Sequence, residues 1–169
     1  MCSPKRITDS MTTHVEILMP GDLNGYGRLF GGRLMQWIDV VAGVVARRHS
    51  GCEVTTASVD HLEFQAAAFE NDTIAMEGRI TYVGRTSMEV RVDTFVESLG
   101  GERKLVNRAY LVTVALDEDE KPIEVPKLIL ETPEDEAEWE AGRRRSILRK
   151  QRREEEKELL RQIEERGAL

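Results

Sequence analysis

The sequence has little cysteine, no long hydrophobic run and no opening signal segment, and each shortage excludes a class of protein. Two cysteines, Cys2 and Cys52, in 169 residues are too few for a disulfide framework, which favours a reducing compartment such as the cytoplasm. The longest apolar run covers residues 40–46, far short of the roughly 20 residues of a membrane-spanning helix. No basic stretch followed by an apolar one opens the chain, so we expect no secretory signal.

Positive charge and metal-binding patterns are also scarce. The 24 Lys and Arg against 31 Asp and Glu leave a net charge of −7, which disfavours a nucleic acid as partner. His14, His49 and His61 have no zinc-ligand spacing, and the cysteines do not complete one, so we expect no metal site. A G-x-S-x-G elbow is absent from the sequence, which leaves serine-hydrolase chemistry without a nucleophile.

Hydrophobic periodicity predicts a strand, one long helix and four further strands. The first strand covers residues 14–19, and the helix covers residues 32–49 and is apolar around most of its circumference, as is typical of a buried helix. Four runs with a period of two follow and predict an antiparallel meander with one buried face. These runs are residues 54–64, 74–82, 88–96 and 104–116. An α+β fold, with one sheet wrapped around the helix, satisfies this order.

The chain divides into three predicted segments. Residues 1–13 are polar and expected to be irregular, whereas residues 14–125 carry the strands and the long helix. Residues 126–169 form a charged helical extension in which basic and acidic runs nearly balance. Its helix is expected to begin at Thr132 and Pro133, because a Thr cap, a Pro at the first position and acids in the first turn favour a helix start. No heptad persists along it, which disfavours a coiled coil.

The segment DLNGYGRLFGGRLMQWID, residues 22–39, places four glycines ahead of the apolar helix. Gly25-x-Gly27 between a strand and a helix looks like a dinucleotide fingerprint, but the third glycine falls one position late and no repeated βα units follow. Two interpretations of Gly31 and Gly32 stay open. They form a tight turn that lets the helix pack closely, or their amides stabilise negative charge developing on a ligand oxygen.

Three further features allow both a structural and a functional interpretation. Asp39 lies at the edge of a solvent-facing helix stripe, or it is a carboxylate that acts as base or nucleophile. Asn24 precedes a glycine, as turn residues do, but it is also a candidate catalytic residue. The loop Arg85-Thr86-Ser87 is a hairpin connection, or it offers a guanidinium and two hydroxyls to a phosphate-bearing ligand.

In combination, these residues resemble the hotdog-fold acyl-CoA hydrolases, in the branch with bacterial acyl-CoA thioesterases and the brain-type acyl-CoA hydrolase. The resembling segments are MPGDLNGYGRLFGGRLMQWIDVVAGVVARRHS, VTTASVDHLEF and GRTSMEV, which span most of residues 14–96. The specific combination is a loop Asn, a Phe-Gly-Gly helix entry and an Asp seven residues after the second Gly. The tail resembles the family less.

The resemblance implies a hotdog fold, an antiparallel sheet curled around the central helix, with two copies pairing edge to edge and commonly three such dimers in a hexamer. It implies hydrolysis of fatty acyl-CoA to free acid and CoA without a metal or organic cofactor. The active site would lie at the dimer interface, where Asn24 of one chain faces Asp39 of its partner.

The remaining site residues follow from the same resemblance and from the chemistry of thioester attack. The amides of Gly31 and Gly32 would stabilise the oxyanion, and Arg85, Thr86 and Ser87 would hold the CoA portion. The competing hypothesis is a non-enzymatic acyl-CoA-binding regulatory hotdog module. Retention of both Asn24 and Asp39 favours the enzyme.

Overall fold

An antiparallel sheet and two long helices are the main elements of residues 3–167, the part of the chain that this computed structural model describes. The sheet buries one face against the first helix and carries the second helix on the other face. The elements in chain order are β1 (Lys5–Arg6), a 3-10 helix (Ile7–Asp9), β2 (Thr12–Ile17), a 3-10 helix (Pro20–Asp22), α1 (Gly31–Ser50), β3 (Glu53–Phe64), β4 (Thr73–Val83), β5 (Ser87–Glu97), β6 (Arg103–Leu116), β7 (Leu128–Ile129) and α2 (Pro133–Gly167).

The predicted central helix is confirmed as α1, one residue longer at each end than expected. Gly51 ends it in the left-handed conformation, with φ of 71°, and donates its N–H to Arg47 O at 2.8 Å. A glycine adopts this conformation without the steric cost that other residues carry. One side of α1 supplies the centre of the core, through residues such as Leu34, Ile38 and Val45.

The helix approaches the sheet most closely at Gly78 in β4. A Cβ atom at this position would lie 2.7 Å from Val41 Cγ1 and 2.9 Å from Val45 Cγ2. Glycine therefore sets the spacing between α1 and the sheet, since any side chain would push the helix away from the strand.

The prediction that four successive strands form a meander is wrong for the first of them, β3, which does not pair with β4. The strand order is β2-β4-β5-β6-β3, so only β4, β5 and β6 follow one another as a meander. β3 pairs with β6 and lies at the edge. The residues between β3 and β4, 65–72, can extend about 26 Å, whereas three strand spacings need only about 14 Å. Periodicity alone does not show that the chain crosses the sheet at this point.

The prediction that residues 1–13 are irregular is wrong for residues 3–13, which contain regular structure, and residues 1–2 lie outside the described residues. β1 pairs in parallel with β7, Ile7 is buried, and β2 begins at Thr12 rather than at residue 14. A two-residue strand is too short to produce an alternating pattern. Residues of the predicted first and third segments therefore pack together, beside the end of α1. There the buried His49 lies with Nε2 2.9 Å from Pro126 O, and burial lowers the pKa of its imidazole.

α2 begins as predicted, with a reciprocal capping pair. Thr132 Oγ1 accepts the Asp135 N–H at 3.1 Å, and the Asp135 carboxylate accepts the Thr132 N–H at 3.1 Å. Its first half packs on the outer face of the sheet, where Gly142 lies so close that a Cβ would meet Tyr82 Cβ at 2.6 Å.

Arg145, in the basic run of α2, faces the sheet and is only a quarter exposed. Its guanidinium donates to the buried Glu89 carboxylate at 2.8 Å and lies 4.1 Å from the centre of the Tyr110 ring. Arg149 donates to Glu89 at 2.7 Å and to Asp60 at 2.8 Å. These ion pairs fix α2 to the sheet, because an unpaired carboxylate at position 89 would be costly to bury. No helix in residues 3–167 is long and apolar enough to cross a bilayer.

Candidate active site

The loop before α1 is a tight turn organised by Asn24. Its Oδ1 atom accepts the backbone N–H of Tyr26 at 2.9 Å and of Arg28 at 3.3 Å, and its own N–H donates to Arg28 O at 2.7 Å. Both partners of the side chain are donors, so the accepting atom is the amide oxygen. The Asn24 Nδ2 group has no acceptor within residues 3–167. The turn interpretation of Asn24 therefore leaves its amide donors available for a ligand.

The glycine pair forms the first positions of α1. Arg33 and Leu34 both donate their N–H groups to Phe30 O, at 2.9 and 3.1 Å. In the described part of the chain, the N–H groups of Gly31 and Gly32 donate to no acceptor. Gly31 also lies against Phe64, whose ring would be 3.3 Å from an added Cβ. Free amides at a helix N-terminus, where the dipole favours negative charge, can stabilise an oxyanion.

Asp39 lies on the exposed side of α1 and is bound by a residue of β3. Thr56 Oγ1 donates to Asp39 Oδ1 at 2.7 Å, which leaves the other carboxylate oxygen, Oδ2, available. Asp39 is exposed in the single chain, in agreement with the solvent-facing stripe. Thr56 is the site residue that sequence reasoning missed. It belongs to the quoted VTTASVDHLEF segment, but a threonine in a strand gives no sign that its hydroxyl reaches the helix.

Asn24 and Asp39 line different clefts of the same chain. The first cleft, of about 300 Å³, contains Asn24 together with Leu34 and Phe64. The second, of about 520 Å³, contains Asp39 and Thr56. No residue lines both clefts, so one chain does not bring the two predicted catalytic residues together.

The second cleft is bordered by a further ion pair, between Arg47 of α1 and Glu53 of β3. Both side chains are more than half exposed, so the pair contributes little to stability. In residues 3–167, no group of three or more His, Cys, Asp or Glu side chains is placed to hold a metal ion.

The loop from Arg85 to Ser87 joins β4 and β5, as a hairpin connection should. Gly84 donates its N–H to Ser87 O at 2.8 Å, and Ala115 donates to Thr86 O at 3.1 Å. The Arg85 guanidinium is 80% exposed and lies 3.8 Å from Glu124. The loop borders neither cleft.

The pairing of β5 with β6, and of β6 with β3, nevertheless places this loop at the Asp39 end of the sheet. Ser87 pairs with Val114, which pairs with Thr55 of β3, and Thr55 lines the second cleft beside Asp39. The three predicted CoA-binding residues therefore lie two strands away from this cleft, at the opposite end of the sheet from Phe64.

Comparison with known proteins identifies the family. Residues 26–101 match the Thioesterase superfamily. An uncharacterised acyl-CoA thioester hydrolase from Bacillus subtilis is 39% identical over 128 residues, which cover 75% of this chain and 74% of that protein. This chain belongs to the hotdog-fold acyl-CoA thioester hydrolases. The rat cytosolic acyl coenzyme A thioester hydrolase is 31% identical over 154 residues, but the chain spans only 40% of that longer enzyme.

Solved structures of acyl-CoA hydrolases share the fold over nearly the whole chain. The Staphylococcus aureus acyl-CoA hydrolase, in complex with butyryl coenzyme A, coenzyme A and coenzyme A disulfide, is 31% identical with a TM-score of 0.88. The match covers 94% of this chain and 98% of that one. An apo-hexameric acyl-CoA thioesterase is 36% identical with a TM-score of 0.85, over 89% of this chain and 97% of that one. The predicted hotdog fold and thioester hydrolase class are therefore confirmed.

Three variants of the S. aureus hydrolase carry alanine in place of one aspartate, one asparagine and one threonine. Along that chain, the asparagine precedes the aspartate by 15 positions and the threonine follows it by 17. Asn24, Asp39 and Thr56 have the same separations here. The three positions studied in that hydrolase thus correspond in spacing to the loop amide, the helix carboxylate and its hydroxyl donor.

Proposed function

We propose that this chain hydrolyses fatty acyl-CoA thioesters to free acid and CoA, at sites formed between two copies of the chain. Asn24 comes from one copy, and Asp39 with Thr56 comes from the other. The observation that carries the proposal is the separation of Asn24 and Asp39 into two clefts at opposite ends of the same edge strand.

β3 supplies the surface on which two copies can join. It is 12 residues long and lies at the sheet edge with one side unpaired, and such an edge favours addition of another strand. In an antiparallel pair of two β3 strands, the Thr56 end of one lies beside the Phe64 end of the other. Thr56 carries the Asp39 cleft and Phe64 borders the Asn24 cleft. A two-fold dimer thus joins both clefts twice, which agrees with an isologous interface.

The joined clefts contain the groups that thioester hydrolysis needs. A carbonyl oxygen placed at the free amides of Gly31 and Gly32 becomes an oxyanion when the carbonyl carbon is attacked, and the amides stabilise that charge. Asp39 removes a proton from the attacking water, or attacks the carbonyl carbon directly. In the first case the C–S bond breaks to leave the free acid. In the second case it breaks to leave an acyl anhydride on Asp39, which water then hydrolyses to the free acid and the Asp39 carboxylate. In both cases CoA leaves as a thiolate and takes up a proton, from Asp39 or from water. Asn24 Nδ2 orients the water or the carbonyl, and we propose that no metal or organic cofactor takes part.

CoA binding is assigned to the loop at the Asp39 end of the sheet. Arg85 offers a guanidinium to phosphate groups, and Thr86 and Ser87 offer hydroxyls. We also propose that the dimers assemble further into hexamers, by analogy with the hexameric thioesterase of the same fold. A cytoplasmic location stays a prediction from the sequence.

A hydrolysis panel from acetyl-CoA to palmitoyl-CoA, with released thiol as the readout, tests the proposal. We expect turnover that depends on acyl chain length, and a loss of about 10²- to 10⁴-fold in kcat for Asp39→Ala, the range for a lost acid–base group. Circular dichroism and sedimentation of the variant serve as the control for folding and assembly. Binding of acyl-CoA without turnover of any member would contradict the proposal and favour the regulatory module.

A further inference from the structure

α2 crosses the outer face of the sheet in strand order. Gly142 lies over Tyr82 of β4, Arg145 binds Glu89 of β5 and covers Tyr110 of β6, and Arg149 binds Asp60 of β3. Because β3 is the edge strand, the helix reaches the edge of the sheet near Arg149 and continues beyond it.

The part of α2 beyond this edge has no partner among the described residues of the chain. Residues 150–166 are exposed throughout, and at a rise of 1.5 Å per residue they extend about 25 Å. That length corresponds to about five strands at 4.8 Å. If two β3 strands pair as proposed above, this projecting segment lies above the sheet of the second copy, so the inference rests on the proposed function.

From Leu148 into the projecting segment, α2 carries an exposed apolar side. Leu148, Leu159 and Ile163 are 57%, 57% and 56% exposed, and at 100° per residue they fall within about 60° of one another. This side is turned by about 50° from the side that Arg145 and Arg149 hold against the sheet. It therefore faces obliquely, between the sheet surface and the flank of the helix where a neighbouring helix would lie.

The charges of α2 are separated along its length. Residues 143–153 contain seven basic residues and no acidic one, whereas residues 154–165 contain six acidic and two basic residues. Two parallel copies would place like charges together. Two antiparallel copies place each basic segment beside the partner's acidic segment, as complementary interfaces require.

We propose that the α2 helices of two copies pair in antiparallel orientation across the β3 seam. The two-fold axis passes between Arg153 and Glu154. Leu148 then packs against the partner's Leu159, and Arg152 lies opposite the partner's Glu155. Each contact occurs twice, because an isologous interface repeats every pair.

The position of α2 on the sheet gives a second estimate of where the two-fold axis crosses the helix, and it falls within one turn of the Arg153–Glu154 position. Arg149 lies over β3, and the axis of a β3 pair lies half a strand spacing, about 2.4 Å, beyond that strand. The charge pattern puts its centre 4.5 residues, about 7 Å, beyond Arg149. The position of the helix on the sheet and the order of its charges therefore agree to within about 4 Å, which is less than one helical turn.

A basic cleft at the seam fits the same arrangement. It measures about 150 Å³ and is bordered by Arg149, Arg152 and Arg153 of α2 and by Ser58 and Asp60 of β3. In the antiparallel pair, the acidic run of the partner's helix approaches this cleft and neutralises guanidinium groups that one chain leaves exposed.

Cysteine cross-linking of the full chain tests the pairing. In a background of Cys2→Ser and Cys52→Ser, Leu148→Cys and Leu159→Cys are introduced singly and together and treated with a short bis-maleimide. Positions 148 and 159 of one helix are about 16 Å apart, as are two copies of position 148 in the antiparallel pair. We expect most of the double variant, and little of either single variant, to become covalent dimer.

The paired charges provide a second variant set. Arg152→Glu should reduce the cross-linked fraction, and the added Glu155→Arg should restore it. Equal cross-linking of single and double variants, or none in the double variant, would overturn the pairing. Acyl-CoA turnover and sedimentation are measured on the same samples. An active dimer without cross-links contradicts only the α2 pairing, whereas an inactive monomer contradicts the proposed function as well.

Discussion

At the residue scale, the contact between Thr56 and Asp39 organises one half of the candidate site. A carboxylate that rotates freely has no defined direction of attack, and the 2.7 Å bond from Thr56 Oγ1 fixes one of its oxygens. The second oxygen stays available on a residue that lines the second cleft. Thr56 acts as a positioning residue in this account, because it reaches the substrate only through Asp39.

Thr56→Val keeps the shape of the side chain and removes the hydroxyl donor. A hydrogen bond to a charged group contributes about 1.5–3 kcal/mol, so we expect kcat to fall by about 10- to 100-fold while KM changes little. Steady-state kinetics on one acyl-CoA measures both values. Thr56→Ser retains the hydroxyl and should keep most of the turnover; an equally damaged serine variant would show that the bond is not the cause.

Arg85→Ala tests the assignment of the CoA-binding loop. The guanidinium is 80% exposed and pairs weakly with Glu124, so its removal should not unfold the hairpin. We expect a raised KM for acyl-CoA and a smaller increase for acyl-pantetheine, which lacks the nucleotide phosphates. The two substrates are compared at the same acyl length. Equal increases for both would mean that Arg85 does not bind the nucleotide portion.

At the scale of elements, α1 and the period-two strands were predictable because a strong repeat marks each of them. The predicted first and last residues of α1 and of these four strands agree with the structure to within one residue. The edge position of β3 was not predictable, since alternation shows which face a strand buries and not which strand it joins. The two-residue strands β1 and β7 are too short to give any pattern.

The same limits apply to the candidate site. The sequence indicated Asn24, Asp39 and the glycine pair as separate features, and Asn24 proved to combine a turn contact with free donors. The side-chain contact between Thr56 and Asp39 joins residues 17 positions apart. No local pattern records such a contact, because it depends on how closely α1 and β3 pack.

The substitution Gly142→Ala tests how closely α2 packs on the sheet. Alanine favours a helix by about 1 kcal/mol over glycine, yet a Cβ here would lie 2.6 Å from Tyr82 Cβ, an atom that cannot move without the strand. We expect Gly142→Ala to lower the free energy of unfolding by about 1–3 kcal/mol, as overpacking does. Chemical denaturation measures it. Lys150→Ala, at an exposed position, is the matched control, and a more stable Gly142→Ala would contradict the close contact.

At the scale of the whole molecule, one chain presents two incomplete halves of a site. The glycine loop lies at one end of β3 and the carboxylate at the other. In the proposed dimer, a second copy completes both halves through the unpaired edge of β3, and α2 extends across the same seam. Assembly is thus a condition of activity in this account, and not only a source of stability.

Subunit complementation tests this central claim most directly. Asn24→Ala and Asp39→Ala should each be nearly inactive alone. In a randomly exchanged equal mixture, half of the dimers contain one chain of each kind, and each mixed dimer has one intact site of two. The account therefore predicts recovery to about a quarter of wild-type turnover, by the symmetry of the dimer. Mixed dimers that form, as shown by native mass spectrometry, but stay inactive would contradict a site shared between two chains.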